Sequence, residues 1–148
     1  DDEGRAHMVD VGAKEATQRV AVAEAHLAMS AAAREALFAG TLPKGDALAV
    51  ARIAAIQGAK STSTLVPLCH PIGIDSISAD VEPTDSGARV VVRATVVAKT
   101  GIEMEAVTGA AVGAIALYDM VKAVDRGAVI GPVQLLSKTG GKSGDWSR

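Results

Sequence analysis

The chain has 148 residues and a formal net charge of −2, with 49% hydrophobic but only 2% aromatic residues. That length suits one domain, 1–148, with a sizeable core built from Ala, Val, Ile and Leu. A general nucleic-acid binder would be basic, and a single-strand binder would carry aromatic stacking platforms, so both are excluded.

The first strand is expected within Arg19–Met29, "RVAVAEAHLAM", where Arg19, Ala21, Ala23 and Ala25 alternate with Val20, Val22, Glu24 and His26. Ser30 suits an N-cap, and "AAAREALFA" reads as a short helix closed by Gly40. After the loop "TLPKG", Asp46 can cap a helix from Ala47 to about Lys60. The two prolines in "STSTLVPLCHPIGID" demand loop or edge-like structure. "DSISADVEP" and "ARVVVRATVVAK" form a hairpin around the turn residues "TDSG". A long helix follows, from about Ile102 to Val124, and then a last strand, "VIGPVQLLSK". With the extra short helix set aside, the order is βαββαβ. This is an α+β, ferredoxin-like sandwich with a four-stranded antiparallel sheet and helices on one face.

Between Ala106 and Tyr118 every face of the long helix is apolar or small. Such a helix is buried on all sides. One side can meet the sheet, and a second copy of the chain is the expected partner for the other. Gly109, Ala110, Ala111, Gly113, Ala114 and Ala116 would permit that approach. Glu103 and Glu105 in the first turn would interact with the helix dipole, worth roughly 0.3–1 kcal/mol each. Asp119 and Lys122 have the spacing of a surface i,i+3 pair. The apolar surroundings, "LYDMVKAV", argue instead for a functional pair at the edge of a buried helix. Fourteen positions separate Glu105 from Asp119, about 21 Å of straight helix, so one helix cannot bring both to the same reacting atom.

Cys69 is the only cysteine, which excludes an internal disulfide and fits a reducing compartment. With His70 beside it and no further ligands in a zinc spacing, no metal site is expected. An inert Cys69 is the simpler reading, while His70, in a Pro-flanked loop, is a candidate acid/base or ligand-contacting group. "SKTGGKSGD" is not a P-loop, because Leu136 stands where the first glycine is required. Its backbone and lysines can still hold phosphate if several cations converge. The acidic N-terminus has no signal-peptide pattern, and the longest apolar run is shorter than a membrane span. A soluble, cytoplasmic protein with no membrane partner is expected.

"AHMVDV", "KGD", "ARIAAIQGAK", "LVPLCHP", "TGIEMEAVTGA", "LYDMVKAVD" and "VIGPVQLLSKTGGKSGD" together resemble the cyclic pyranopterin monophosphate synthase family, in order and over nearly the whole chain. The resemblance implies a ferredoxin-like lyase of molybdenum-cofactor biosynthesis. Its substrate would be the cyclised GTP derivative 3′,8-cyclo-7,8-dihydroguanosine 5′-triphosphate, and pyrophosphate would be released. It implies a homohexamer, a trimer of dimers, with active sites at dimer interfaces. It implies catalytic roles for Asp119, Lys122, Lys44 and His70. Leu68, Cys69, His70, Glu103, Met104, Glu105 and Lys138 would contact substrate. No protein-bound cofactor is expected, although Mg²⁺ can accompany the triphosphate. The rival readings are a non-catalytic ferredoxin-like nucleotide-binding or regulatory module and an inert assembly protein. Product analysis with the cyclised triphosphate separates them from the lyase.

Overall fold

The structure, a computed structural model, describes residues 3–148. In chain order it contains β1 (Thr17–Ala28), α1 (Ala31–Ala39), α2 (Ala47–Lys60), α3 (Thr62–Leu65), β2 (Ser76–Thr84), β3 (Gly87–Ala98), α4 (Glu103–Val121), β4 (Val129–Thr139) and β5 (Trp146–Ser147). The sheet is antiparallel, in the order β2-β3-β1-β4-β5. The four expected strands form it, and β5 adds a short fifth to the β4 edge. The helices pack on one face, with α2 and α4 side by side, α2 over β2 and β3 and α4 over β1, β3 and β4. This is the expected ferredoxin-like arrangement.

The caps explain where the early helices begin and end. Ser30 Oγ accepts from the Ala33 N–H at 3.3 Å, and Gly40 closes α1 in the left-handed region at φ 70°. Asp46 accepts from the Ala49 N–H at 2.9 Å and starts α2. Two boundaries differ from expectation. The polar-apolar stretch before Pro67 contains the single-turn α3, because Thr62 turns its buried hydroxyl onto the Ala59 carbonyl at 2.8 Å. The long helix stops at Val121 rather than Val124. Residues 122–124 continue only as a turn, with Val124 N–H donating to the Val121 carbonyl at 2.8 Å.

α4 is long and apolar enough, by composition, to cross a membrane. Its inner face is nevertheless core: Ala106, Ala110, Ala114, Leu117 and Val121 are fully buried. Removing a side chain such as Leu117 would cost about 2–5 kcal/mol. The glycines expected to ease approach of a second copy have another use. A Cβ at Gly113 would lie 2.8 Å from Val90 Cγ1 and 3.0 Å from Ala55 Cβ, and one at Gly109 would lie 2.9 Å from the Ala55 carbonyl. They seat α2 and the sheet of the same chain. The outward surface of the helical layer is apolar as well, with Val50, Ile53, Met104 and Ile115 exposed.

On β1, Ala21, Ala23, Ala25 and Leu27 face the helices and are buried. Glu24 points to the opposite face, yet it is also only 5% exposed. Its carboxylate accepts from Gln134 Nε2 at 2.8 Å and Arg89 Nη1 at 3.1 Å, with His26 Nε2 at 3.0 Å. Burial pushes this carboxyl up, but the Gln134 and His26 contacts and the Arg89 charge outweigh it and hold it below the ordinary value.

Candidate functional site

At the N-terminal end of α4 an open cleft of about 440 Å³ is lined by Leu68, Cys69, His70, Gly101, Glu103, Met104 and Glu105. Pro67 and Pro71 bracket the Leu68–His70 wall and keep it out of regular structure. The Cys69 N–H donates to the Val66 carbonyl at 3.1 Å and fixes the turn. The first turn of α4 forms the facing wall, where Ile102 makes no side-chain cap. Glu105 is 4% exposed. Burial pushes its carboxyl up, and the neighbouring Glu103 charge pushes the same way. Burial, then the Glu105 charge, also raises the Cys69 thiol. A raised thiol is a poor nucleophile and a poor metal ligand, which agrees with reading Cys69 as part of the wall.

A second, closed recess shares Gly101 and Glu103 with this cleft and is otherwise lined by residues that include Arg19, Lys138 and Gly140. Lys138 reaches it from β4, with Nζ 3.9 Å from Glu103 Oε1 and a hydrogen bond to Ser143 Oγ. Arg19 reaches it from β1, its Nε donating to the Ala98 carbonyl at 3.1 Å.

The C-terminal end of α4 is arranged differently. Asp119 accepts from Lys122 Nζ at 2.6 Å and from Lys44 Nζ at 2.5 Å. The pair expected from helical spacing is therefore a triad, completed by a loop lysine 75 positions away. Gly45, in the left-handed region at φ 89°, turns the "PKGD" loop so that Lys44 meets α4. All three side chains are about half exposed. Hydrogen bonds from Lys122 and Lys44 bring the Asp119 carboxyl down to about 2, and Asp119 in turn raises Lys122. The triad is one fixed carboxylate holding two ammonium groups, with a net charge of +1.

Leu68, Cys69, His70, Glu103, Met104 and Glu105 thus share one cleft, and Lys138 stands in the adjoining recess. Lys44, Asp119 and Lys122 meet at the other end of the helix, roughly 21 Å away along its axis. His70 lies in the cleft of this chain, apart from the Asp119 triad. Sequence reasoning gave no role to His7, Val9, Val11 and Lys14, which cross the cleft mouth. Lys99 Nζ ties this strap down through the Gly12 carbonyl at 2.7 Å. The only signal for it was the place of "AHMVDV" in the resemblance, which covers His7, Val9 and Val11 but not Lys14. Arg19 was likewise read only as a strand residue. Among the described residues, no group of three His, Cys, Asp or Glu is placed to hold a metal ion.

Fold and site define a ferredoxin-like α+β enzyme with a partly apolar cleft at one end of its central helix and cations at both ends. The chain belongs to the MoaC family, whose profile matches residues 8–141. It is 51% identical to the cyclic pyranopterin monophosphate synthase of Corynebacterium efficiens over 98% of this chain and 94% of the relative. It is 50% identical to the protein of that name from Corynebacterium glutamicum, strain R, over 99% and 94%. A Herpetosiphon aurantiacus protein with the same name is 51% identical over 99% and 90%.

Proposed function

We infer that this protein converts 3′,8-cyclo-7,8-dihydroguanosine 5′-triphosphate to cyclic pyranopterin monophosphate and pyrophosphate, as a lyase of molybdenum-cofactor biosynthesis. The observation that carries this is the end-to-end match to synthases of that name in a chain that gathers Leu68–His70 and Glu103–Glu105 around one cleft.

The chemistry has two demands. Rearrangement of the guanine-derived rings needs proton transfers. Closure of the cyclic phosphate needs attack by a sugar hydroxyl on the α-phosphorus, with the bond to the departing pyrophosphate breaking and its developing charge neutralised. Asp119, held near a pKa of 2 by its lysines, is a weak base. Its role is to orient the Lys44 and Lys122 ammonium groups toward the charge that develops on the departing pyrophosphate. Glu105, raised by burial, is the stronger base of the two carboxylates once ionised. Lys138 meets the phosphates, and Mg²⁺ can travel with them.

The working unit in this reading is a homo-oligomer, a hexamer built as a trimer of dimers, in the cytoplasm. Met104, Ile115 and Asp119 follow one another along the outward side of α4 at helical spacing. Two copies of α4 crossed antiparallel about a two-fold axis would bring the Met104 end of one against the Asp119 end of the other. That would assemble each site from two chains and bury exposed Ile53 and Ile115. The whole of 1–148 serves as one domain in this scheme.

Incubation with the cyclised triphosphate tests the function: pyrophosphate and a pyranopterin product should accumulate together. Intact substrate after long incubation with folded protein would sink it.

A further inference from the structure

The tail after β4 folds back on itself. β5 pairs with β4 at Ser147 to Ser137 and Trp146 to Lys138. The Arg148 N–H donates to the Leu136 carbonyl at 2.9 Å, and Arg148 Nε to the Leu135 carbonyl at 3.1 Å. Residues 140–145 are therefore the tip of a closed hairpin, braced by the Gly140 N–H on Asp145 Oδ1 at 3.0 Å and the Gly144 N–H on the Gly141 carbonyl at 3.2 Å.

This tip touches both cations of the recess. Ser143 Oγ holds Lys138 Nζ. Gly141 lies directly under Arg19: a Cβ there would be 2.2 Å from Arg19 Nη1 and 2.8 Å from Cζ. Gly140 is equally constrained, because a Cβ would be 2.1 Å from the Gln18 carbonyl. Both glycines adopt φ values, 86° and 80°, that other residues avoid. Among the described residues Arg19 makes no ion pair, and Lys138 makes only a long one. Glu103, the carboxylate of the recess, stands 3.9 Å from Lys138, and Arg19 Nε is spent on a carbonyl. Lys138 and Arg19 bring two cations beside Glu103, at the edge the recess shares with the cleft, and the tip carries its own carboxylate, Asp145.

We propose that the hairpin tip Gly140–Asp145 is a positioning element of the active site, in which Gly141 seats the Arg19 guanidinium and Ser143 holds the Lys138 ammonium toward the phosphate-bearing end of the substrate. This rests on the lyase reading above. Gly141 and Ser143 act through the two cations and need not touch substrate themselves. Loose lysine and arginine side chains pay ordering entropy when they close on a phosphate. The tip pays it in advance.

The test compares steady-state turnover of the cyclised triphosphate and competitive inhibition by inorganic pyrophosphate in Ser143→Ala, Ser143→Thr, Gly141→Ala and Lys138→Ala. Ser143→Ala should raise KM and the pyrophosphate inhibition constant by roughly tenfold, the scale of one charge-assisted hydrogen bond, with kcat changed less. Ser143→Thr should restore both constants, and Gly141→Ala should lose pyrophosphate affinity as strongly as Ser143→Ala. Wild-type constants in Ser143→Ala, beside a Lys138→Ala that loses pyrophosphate affinity, would overturn the positioning role and leave the lyase reading standing. Wild-type turnover and affinity in Lys138→Ala would overturn the anion site itself. A fall in kcat alone in Ser143→Ala, with the inhibition constant unmoved, would also count against the proposal.

Discussion

The two ends of α4 shift their carboxylates in opposite directions. At the N-terminal end Glu105 is buried beside another acid, so its proton is held more tightly than usual. At the C-terminal end Asp119 stands half exposed between two ammonium groups and is ionised down to about pH 2. One holds its proton more tightly than usual and the other is fixed between two cations. A single helix gains this contrast because its middle is core and each end emerges into a different environment. Thirteen uncharged residues, Ala106–Tyr118, insulate one end from the other.

The largest expected effect lies at the charged end. Asp119→Asn should fold normally but lower kcat by about 10²–10⁴, the range for a positioned acid–base unit. Pyrophosphate release would show it, and wild-type turnover would remove Asp119 from the site. Lys122→Ala should be impaired in the same assay.

A mixing experiment asks whether the two ends serve one site. Chains carrying Asp119→Asn and chains carrying Glu105→Gln should each be poorly active alone. Random co-assembly into two-fold dimers should recover about a quarter of wild-type activity, since half the dimers would hold one intact site of two. No recovery in demonstrably mixed assemblies would break the antiparallel arrangement.

The spacer itself can be tested through stability. Gly113→Ala drives a methyl against Val90 and Ala55 and should cost about 1–3 kcal/mol in denaturant unfolding. A neutral result would mean α2 and α4 have room to separate.

The smallest effect concerns Glu105 and pH. A carboxyl whose folded pKa is raised contributes its stability below the ordinary value of 4.5, and that contribution is lost as pH rises through the folded value. Glu105→Gln should therefore match wild type in acid and be the more stable protein at neutral and higher pH. Melting curves across pH 4–8 would show it. A variant less stable than wild type at pH 8 would reverse the sign assigned here.

Much of this was legible in the chain. Ser30, Gly40 and Asp46 announced α1 and α2 because caps are local chemistry, and the valine-rich run "ARVVVRATVVAK" announced β3. The strap at His7–Lys14 was not legible as a cleft wall, since it has no periodicity and only tertiary contact gives it a place. β5 is two residues long, too short to leave a pattern. Lys44 could not be tied to Asp119 by spacing, because the loop and the helix end are joined only by the fold. The glycines of α4 were correctly read as sites of close approach. Their partner was misjudged, because a small residue records that something comes near and not which chain it belongs to.

Glu24 has a consequence for how the sheet comes together. β1 is the central strand, paired with β3 on one side and β4 on the other, and its helix-facing alanines would tolerate being paired out of step. A slip of one residue would rotate Glu24 and its strand neighbour His26 under α4, away from Gln134 and Arg89. A carboxylate stripped of those two donors in that apolar layer would cost several kcal/mol. The alanines make the strand easy to pack, and one acidic side chain makes only one alignment of it survive.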